Sequence, residues 1–331
     1  MLSKYFLLEY WTKLPVLARK FNVNNKLNVH TLNQDSQNKS ILAALGANLL
    51  IAITKFIAGG FTNSASMISE GIHSTVDTTN QVLLLYGLKR SRKAPDKVRP
   101  FGYGKELYFW AFIVSILIFG LGGALSIYQG IQHVWHPEPL SNPMWNYIVL
   151  VISLIFEGIS FAIALKEFNK LRGELTIWQA MIRSKDPSSF LVLFEDSAAV
   201  AGLLIVLVFM ILTHTFNLPY LDGVASLFVG ALLIFVSLIL ARESRSLLMG
   251  EGITLETQKK ILSLVEKDDT IIKVKNILST YQSPESVVLM LIIEFRQNLD
   301  TEDITNAIER IRSEVKAEFK LVQFVIIQPE A

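Results

Sequence analysis

The sequence predicts an α-helical membrane protein with six transmembrane helices, followed by a C-terminal cytoplasmic α+β domain. Three observations carry that prediction. First, 51% of the 331 residues are hydrophobic and only 18% are charged, where a soluble protein carries roughly 25% charged residues; mean hydropathy is +0.41. Second, six segments approach the roughly 20 apolar residues that a spanning helix needs. Third, the composition turns polar after Arg242, where the last 90 residues hold twelve Lys and Arg against fifteen Asp and Glu.

The six segments fall near 41–60, 65–88, 108–128, 145–165, 190–213 and 219–241. The third, YFWAFIVSILIFGLGGALSIY, has no charge at all. The second is the most polar, and it is assigned because the loops on either side make sense only if the chain crosses there. Orientation follows from loop charge. The loop from Lys89 to Glu106 has seven Lys and Arg and the loop around 166–189 has five, while the connections near 59–64, 129–145 and 213–218 have none. Both termini and both basic loops are therefore expected in the cytoplasm, with the protein in the cell (cytoplasmic or inner) membrane. The basic 89–106 loop is expected to hold anionic lipid.

Three regions result. Residues 1–38 form a cytoplasmic N-terminal segment, basic and mildly amphipathic, suited to the membrane surface and without the h-region of a signal peptide. Residues 39–241 form the transmembrane domain, and 242–331 the C-terminal domain. In the last, Leu255–Glu266 and Asp300–Lys320 read as helices, and Ile271–Tyr281, Ser286–Arg296 and Leu321–Ile327 as strands. That α-β-β-α-β order gives a small two-layer fold of ferredoxin-like type.

Composition narrows the chemistry. The chain has no cysteine, which excludes disulfides, thiolate metal sites and CxxC redox chemistry. A net charge of +2 gives no reason to expect nucleic acid. Neither HExxH, GxSxG nor a GxxxxGKS/T loop occurs, so the chain is not read as an enzyme and needs no prosthetic group.

Polar residues inside the apolar segments carry the functional signal, because each costs at least about 2.5–3.5 kcal/mol to insert. Glu70, His73, Asp77 and Asn80 are spaced 3, 4 and 3, so one helix face presents all four. His73 and Asp77, one turn apart, suit a divalent cation of the Zn²⁺ type, whereas Mg²⁺ and Ca²⁺ prefer oxygen alone. A buried pair that merely locks two helices is the alternative. In the fifth segment Asp186–Pro187 marks a helix start, placing Asp196 roughly 13 Å in, near the midplane. Glu195 beside it points about 100° away. Small residues at Ser197–Ala199 and Ala201 allow close packing. Glu157 is a candidate proton relay or a partner for Lys55, and Asn48 a candidate interhelical contact. His133 and His136 read as interfacial, and Asp222 as lying at the water boundary.

Several local stretches resemble the cation diffusion facilitator family of metal transporters: SASMISEGIHSTVDTTNQ, RPFGYGKE, SIYQGIQHVWHPEP and SLLMGEG. The likeness runs over residues 40–331. It implies proton-coupled export of Zn²⁺ or a related ion from the cytoplasm by a homodimer joined through its C-terminal domains. The family's tetrahedral site has two residues four apart on span two and two more on span five. His73, Asp77 and Asp196 match; the fourth position is Val192 here. Water, Glu195 or Glu70 is left to complete the set. The stretch SKDPSSFLVLFEDSAA resembles the branch that includes mitochondrial-type zinc transporters. No His or Cys follows His214, so the zinc sites that relatives place in the C-terminal domain are not expected.

Overall fold

In the computed structural model the described residues are 29–139, 144–172, 175–177, 179–180 and 185–330. Of the N-terminal segment expected over residues 1–38, the first 28 fall outside them, and the remaining ten belong to a helix. Six long helices are described: α1 Val29–Thr62, α2 Ala65–Ser91, α3 Glu106–Trp135, α4 Met144–Arg172, α5 Pro187–Phe216 and α6 Tyr220–Met249. Each contains one apolar segment to within a residue. Four of them, α3 to α6, are long and apolar enough to cross a membrane, and α1 has a shorter apolar stretch at Asn48–Thr62. α2 fails that measure because its own polar stripe lowers its hydropathy.

These helices carry apolar side chains on the outside and polar ones within. Leu50, Phe61, Trp145 and Phe235 are at least 62% exposed, while Lys55, Glu70, His73 and Asn80 are at most 2% exposed. A soluble domain shows the reverse, so hydrocarbon is the solvent this surface suits. Trp135, Trp145 and Phe216 sit exposed at helix ends, the aromatic placement expected at a membrane interface. Asn63 and Asn217, with φ of 54° and 53°, make the tight turns from α1 to α2 and from α5 to α6; asparagine tolerates that left-handed conformation.

Helices α3 and α6 approach through glycines. A Cβ at Gly123 would lie 2.5 Å from Ile234, and one at Gly130 would lie 2.8 Å from the Gly223 carbonyl oxygen. Close to these contacts α3 widens into a π-helical stretch over Ile118–Ala124.

The chain divides into two compact units. The first comprises α1, most of α2, α3 from Ala111 onward, and α4 to α6 as far as Arg242. The second joins Tyr86–Trp110 to Glu243–Ala331. It contains α7 Leu255–Val265, β1 Ile271–Ser283, β2 Ser286–Phe295, α8 Thr301–Glu318 and β3 Val322–Glu330, in the predicted α-β-β-α-β order. β1 pairs antiparallel with β2, and β2 pairs parallel with β3. With three strands the sheet is mixed: the β2–α8–β3 crossover brings β3 directly beside β2, where a ferredoxin-like sheet would seat another strand between them. Val287, Leu289, Leu291 and Ile293 alternate along β2 and are fully buried, against Ala307, Ile311 and Val315 of α8. Asp300 and Asp303 form a reciprocal capping box at the start of α8, which satisfies two otherwise orphaned donors.

The basic 89–106 loop is folded into this second unit. Lys93 and Arg99 each sit 4.5 Å from the centre of the Tyr103 ring, Arg99 also bonds Glu106 at 2.8 Å, and Phe101 meets Phe324 edge-on. The Tyr103 hydroxyl, then the Arg99 backbone, hold the exposed Asp96 carboxyl down at about 2. Part of the charge expected to face lipid is thus turned onto the protein.

Candidate functional site

The polar stripe of α2 faces inward as its spacing requires, and its four members have different partners. Glu70 Oε2 accepts from Lys55 Nζ of α1 at 2.9 Å. His73 and Asp77 lie 3.4 Å apart, Nδ1 to Oδ1. Asn80 donates to Glu195 Oε1 of α5 at 2.6 Å. His73 is 2% exposed, and neither ring nitrogen has a hydrogen-bond partner among the described residues. Buried polar groups are normally satisfied, so a bare imidazole beside a carboxylate is an arrangement a bound ion would complete.

Next to this pair lies a narrow, partly open cavity of about 10 Å³, lined by Asn48, Ile51, Ser74, Asp77, Gln81, Glu157, Glu195 and Asp196. Asp77 comes from α2, Glu157 from α4, and Glu195 and Asp196 from α5. The two α5 carboxylates diverge as a helical step of 100° demands: Glu195 reaches Asn80 of α2, and Asp196 accepts from Ser160 of α4 at 2.6 Å. Both still border the cavity, since the longer Glu195 side chain makes up the angle. Asn48 donates to Gln81 across α1 and α2 at 3.1 Å, the interhelical contact expected of it.

Of the residues singled out in the sequence, the structure brings Asp77, Glu157, Glu195 and Asp196 to one cavity, while His73 approaches Asp77 without lining it. Among the described residues no three His, Asp or Glu side chains are grouped so as to hold a metal ion. Val192 packs against the apolar core and offers no ligand. Glu70, one of the three candidates for the fourth position, has its Oε2 held by Lys55 Nζ, and by the same contact Lys55 is engaged with Glu70 rather than with Glu157. Asp222, expected at the water boundary, stands in the first turn of α6 and is fully buried among protein side chains. It accepts from the Ser64 and Ser66 hydroxyls and from the Ser66 N–H at the start of α2, with His133 Nε2 at 3.8 Å. Ser160 was not anticipated; its position three after Glu157, on the same face of α4, was the available signal.

These features meet a clear family match. Residues 41–249 fit the family model described as the cation efflux transmembrane domain. A helical bundle with carboxylates and an imidazole turned to its interior, and with helices long and apolar enough to cross a membrane, defines the class: an integral membrane protein. The chain belongs to the cation efflux, or cation diffusion facilitator, family. It is 32% identical over 296 residues to the human "Proton-coupled zinc antiporter SLC30A9, mitochondrial", covering 87% of this chain and 52% of that one. It is 32% identical over 266 residues to "Metal tolerance protein C4" of Arabidopsis thaliana, covering 80% and 58%. To "Manganese efflux system protein MneP" of Bacillus subtilis it is 25% identical, covering 87% and 94%. The chain spans about half the length of the SLC30A9 relatives it matches. A cadmium form of a MamM CTD aligns with 23% of this chain and 95% of its own at 16% identity and a TM-score of 0.22.

Proposed function

We propose that this protein is a proton-coupled antiporter of divalent metal cations, with Zn²⁺ as its first substrate, built on six membrane spans α1 to α6. The cation binds His73, Asp77 and Asp196, and Glu195 supplies the fourth position that Val192 leaves empty. The observation that carries this reading is the buried His73 with both ring nitrogens bare, beside Asp77 and the carboxylate-lined cavity. The proton-coupled zinc antiporters among its relatives support it.

Coupling follows from charge. Asp77, Glu157, Glu195 and Asp196 border one cavity inside a low-dielectric bundle, where uncompensated charge is costly. Metal ligands must be deprotonated, so protons and the cation compete for the same atoms. Alternating access then exchanges one for the other: the cation enters from the cytoplasm, the side of the basic loops and the C-terminal domain, and protons displace it on the opposite side. The protein works as a homodimer in the cell membrane, both termini cytoplasmic; the mitochondrial naming of the SLC30A9 relatives makes an organelle membrane the other placement to test.

A second substrate has its own support. The cavity lining is all oxygen donors plus Ile51, and carboxylate and carbonyl ligands suit Mn²⁺ better than Zn²⁺; a manganese efflux protein is among the relatives. The test is flux into proteoliposomes under an imposed pH gradient, with Zn²⁺, Mn²⁺, Fe²⁺ and Co²⁺ compared. Wild type should respond to the gradient, and folded Asp77→Ala and Asp196→Ala should not. No flux of any ion from folded wild type would turn the reading to a non-transporting assembly or metal-sensing protein whose polar stripe only locks helices.

A further inference from the structure

The cations of the basic 89–106 loop, which lies in the second unit, are not all alike. Arg90 and Arg99 bond Glu106 at 3.4 and 2.8 Å, and Lys93 donates to the Tyr103 hydroxyl at 3.2 Å. Lys89, Arg92 and Lys97 are exposed and enter no ion pair among the described residues. Between Lys97 and Arg99 stands Val98, 84% exposed, more than any other large apolar side chain among the described residues. A lone exposed valine needs no explanation, but this one is held out. Asp96 Oδ1 accepts from the Val98 and Arg99 N–H groups at 2.9 and 2.8 Å. The Asp96 and Gly102 N–H groups donate to the Arg99 carbonyl oxygen at 3.2 and 2.9 Å, and the Tyr103 hydroxyl donates to Asp96 Oδ2 at 2.6 Å. Pro95 and Pro100 restrict the backbone on either side. Ordering a loop costs conformational entropy, and here it fixes an apolar tip among free cations. The same unit holds the adjoining ends of α2 and α3. There Tyr86 and Phe109 are exposed, each meets Trp110 edge-on, and Trp110 Nε1 donates to Glu106 at 3.1 Å. Rings with an apolar body and a polar tip gather at the headgroup level of a bilayer, so the loop emerges at that level.

We propose that this loop is a second membrane contact: Val98 dips into the headgroup–acyl boundary of the leaflet next to it, and Lys89, Arg92 and Lys97 take the phosphates of anionic lipids. The proposal rests on the membrane placement of the bundle and not on its cargo. Charge complementarity names the occupant, since an anionic bilayer offers the phosphates that three free cations lack and a fluid acyl layer for the tip. One short apolar group holds a membrane weakly, and stable contact takes a second signal, which the cations supply. The spans on either side keep the loop at that surface, so its effective concentration there is high. A protein partner fits less well. Phe101, the loop's other exposed large apolar side chain, is already against Phe324 of β3, and a single valine falls far short of the area that a stable protein interface buries.

The chain has no cysteine, so Val98→Cys gives one attachment point for a nitroxide in the full chain. The labelled protein is reconstituted in vesicles of phosphatidylcholine, alone or with phosphatidylglycerol. Relaxation by oxygen, which collects in lipid, is compared with relaxation by a water-soluble nickel chelate. In the anionic vesicles the nitroxide should be open to oxygen and protected from nickel. Lys97→Gln should lower the ratio of immersed to exposed label about fivefold there, the loss of one cation at an anionic surface, and change little in phosphatidylcholine alone. Because the label replaces the tip, hydrogen exchange of residues 92–103 is followed in the unlabelled chain as well. Anionic vesicles should slow that exchange, and Val98→Asp should abolish the slowing. A nitroxide open to nickel in both vesicles, or exchange indifferent to lipid, overturns the proposal. So does a label shielded from both relaxants in detergent and vesicles alike, which would mean that protein, a second copy of this chain included, covers the tip.

Discussion

The two units solve opposite packing problems. In the C-terminal unit the interior is Val, Leu and Ile from β2 and α8, and the ion pairs lie at the rim, such as Arg310 with Asp268. In the helical unit the interior holds Lys55, Glu70, His73, Asn80, Glu195 and Asp196, and large apolar side chains face outward. Water pulls charge to the surface of the first; lipid pushes it to the inside of the second. A buried polar residue therefore means different things in the two places. In the sheet domain it would be a liability, whereas in the bundle the interior is the place that surrounding lipid leaves for it.

The largest expected effect tests that difference directly. Asp196→Asn keeps the shape of the side chain and an acceptor for Ser160, and removes the charge. Gradient-driven Zn²⁺ flux should fall by about 100-fold or more, since metal ligation requires the ionised carboxylate. Thermal stability should change by less than about 1 kcal/mol, because no cavity is made. The mirror experiment is Leu291→Ala in β2, a fully buried side chain. That truncation should destabilise the C-terminal unit by about 2–5 kcal/mol, read as faster hydrogen exchange across β1 and β2. Zn²⁺ binding by the intact chain at low temperature should remain. Equal loss of binding in both variants would erase the distinction between the two interiors.

Much of this contrast was legible in the sequence, and for reasons that differ by region. Five of the six helices fall where apolar length placed them and α2 falls where its flanking loops did, and the α-β-β-α-β order came from β-branched runs and from the acidic first turn of α8. Stripe spacing also put Glu70, His73, Asp77 and Asn80 on one inward face, because helical period is local information. Partner choice is not local. Lys55 lies fifteen residues before Glu70 and 102 before Glu157, and nothing in one sequence says which carboxylate its helix will face. The three-stranded parallel closure of β3 on β2, the burial of Asp222 against Ser64 and Ser66, and the Ser160 contact to Asp196 likewise depend on which elements become neighbours.

A smaller effect probes helix contact within the bundle. Gly130 of α3 sits where a Cβ would be 2.8 Å from the Gly223 carbonyl oxygen and from Leu227 of α6. Small residues let membrane helices approach without any apolar driving force between them. Gly130→Val should force the two backbones apart and cost about 1–3 kcal/mol, measured as a lower melting temperature of the purified full chain. An unchanged melting temperature would mean that the α3–α6 contact contributes little to holding the bundle.

The smallest effect belongs to the rim of the C-terminal unit and follows from pH. Arg310 donates to both oxygens of Asp268, at 2.8 and 3.0 Å. That guanidinium, with help from Thr270 and against the cost of burial, holds the Asp268 carboxyl down from 3.8 to about 2. Because the folded value lies below the unfolded one, the folded state binds this proton less readily. The contribution to stability is complete above about pH 4 and is lost as pH falls through about 2. The displacement is equivalent to about 2.4 kcal/mol by linkage. Arg310 is 48% exposed, and screening at the surface brings that down to about 1 kcal/mol. Arg310→Ala should therefore reduce the stability of the C-terminal unit by about 1 kcal/mol at pH 7, with the difference from wild type closing between about pH 4 and pH 2. Hydrogen exchange of α8 and β3 in the full chain, followed across that range, reads it. A difference that persists below pH 2 would assign the loss to packing of the Arg310 side chain rather than to its charge.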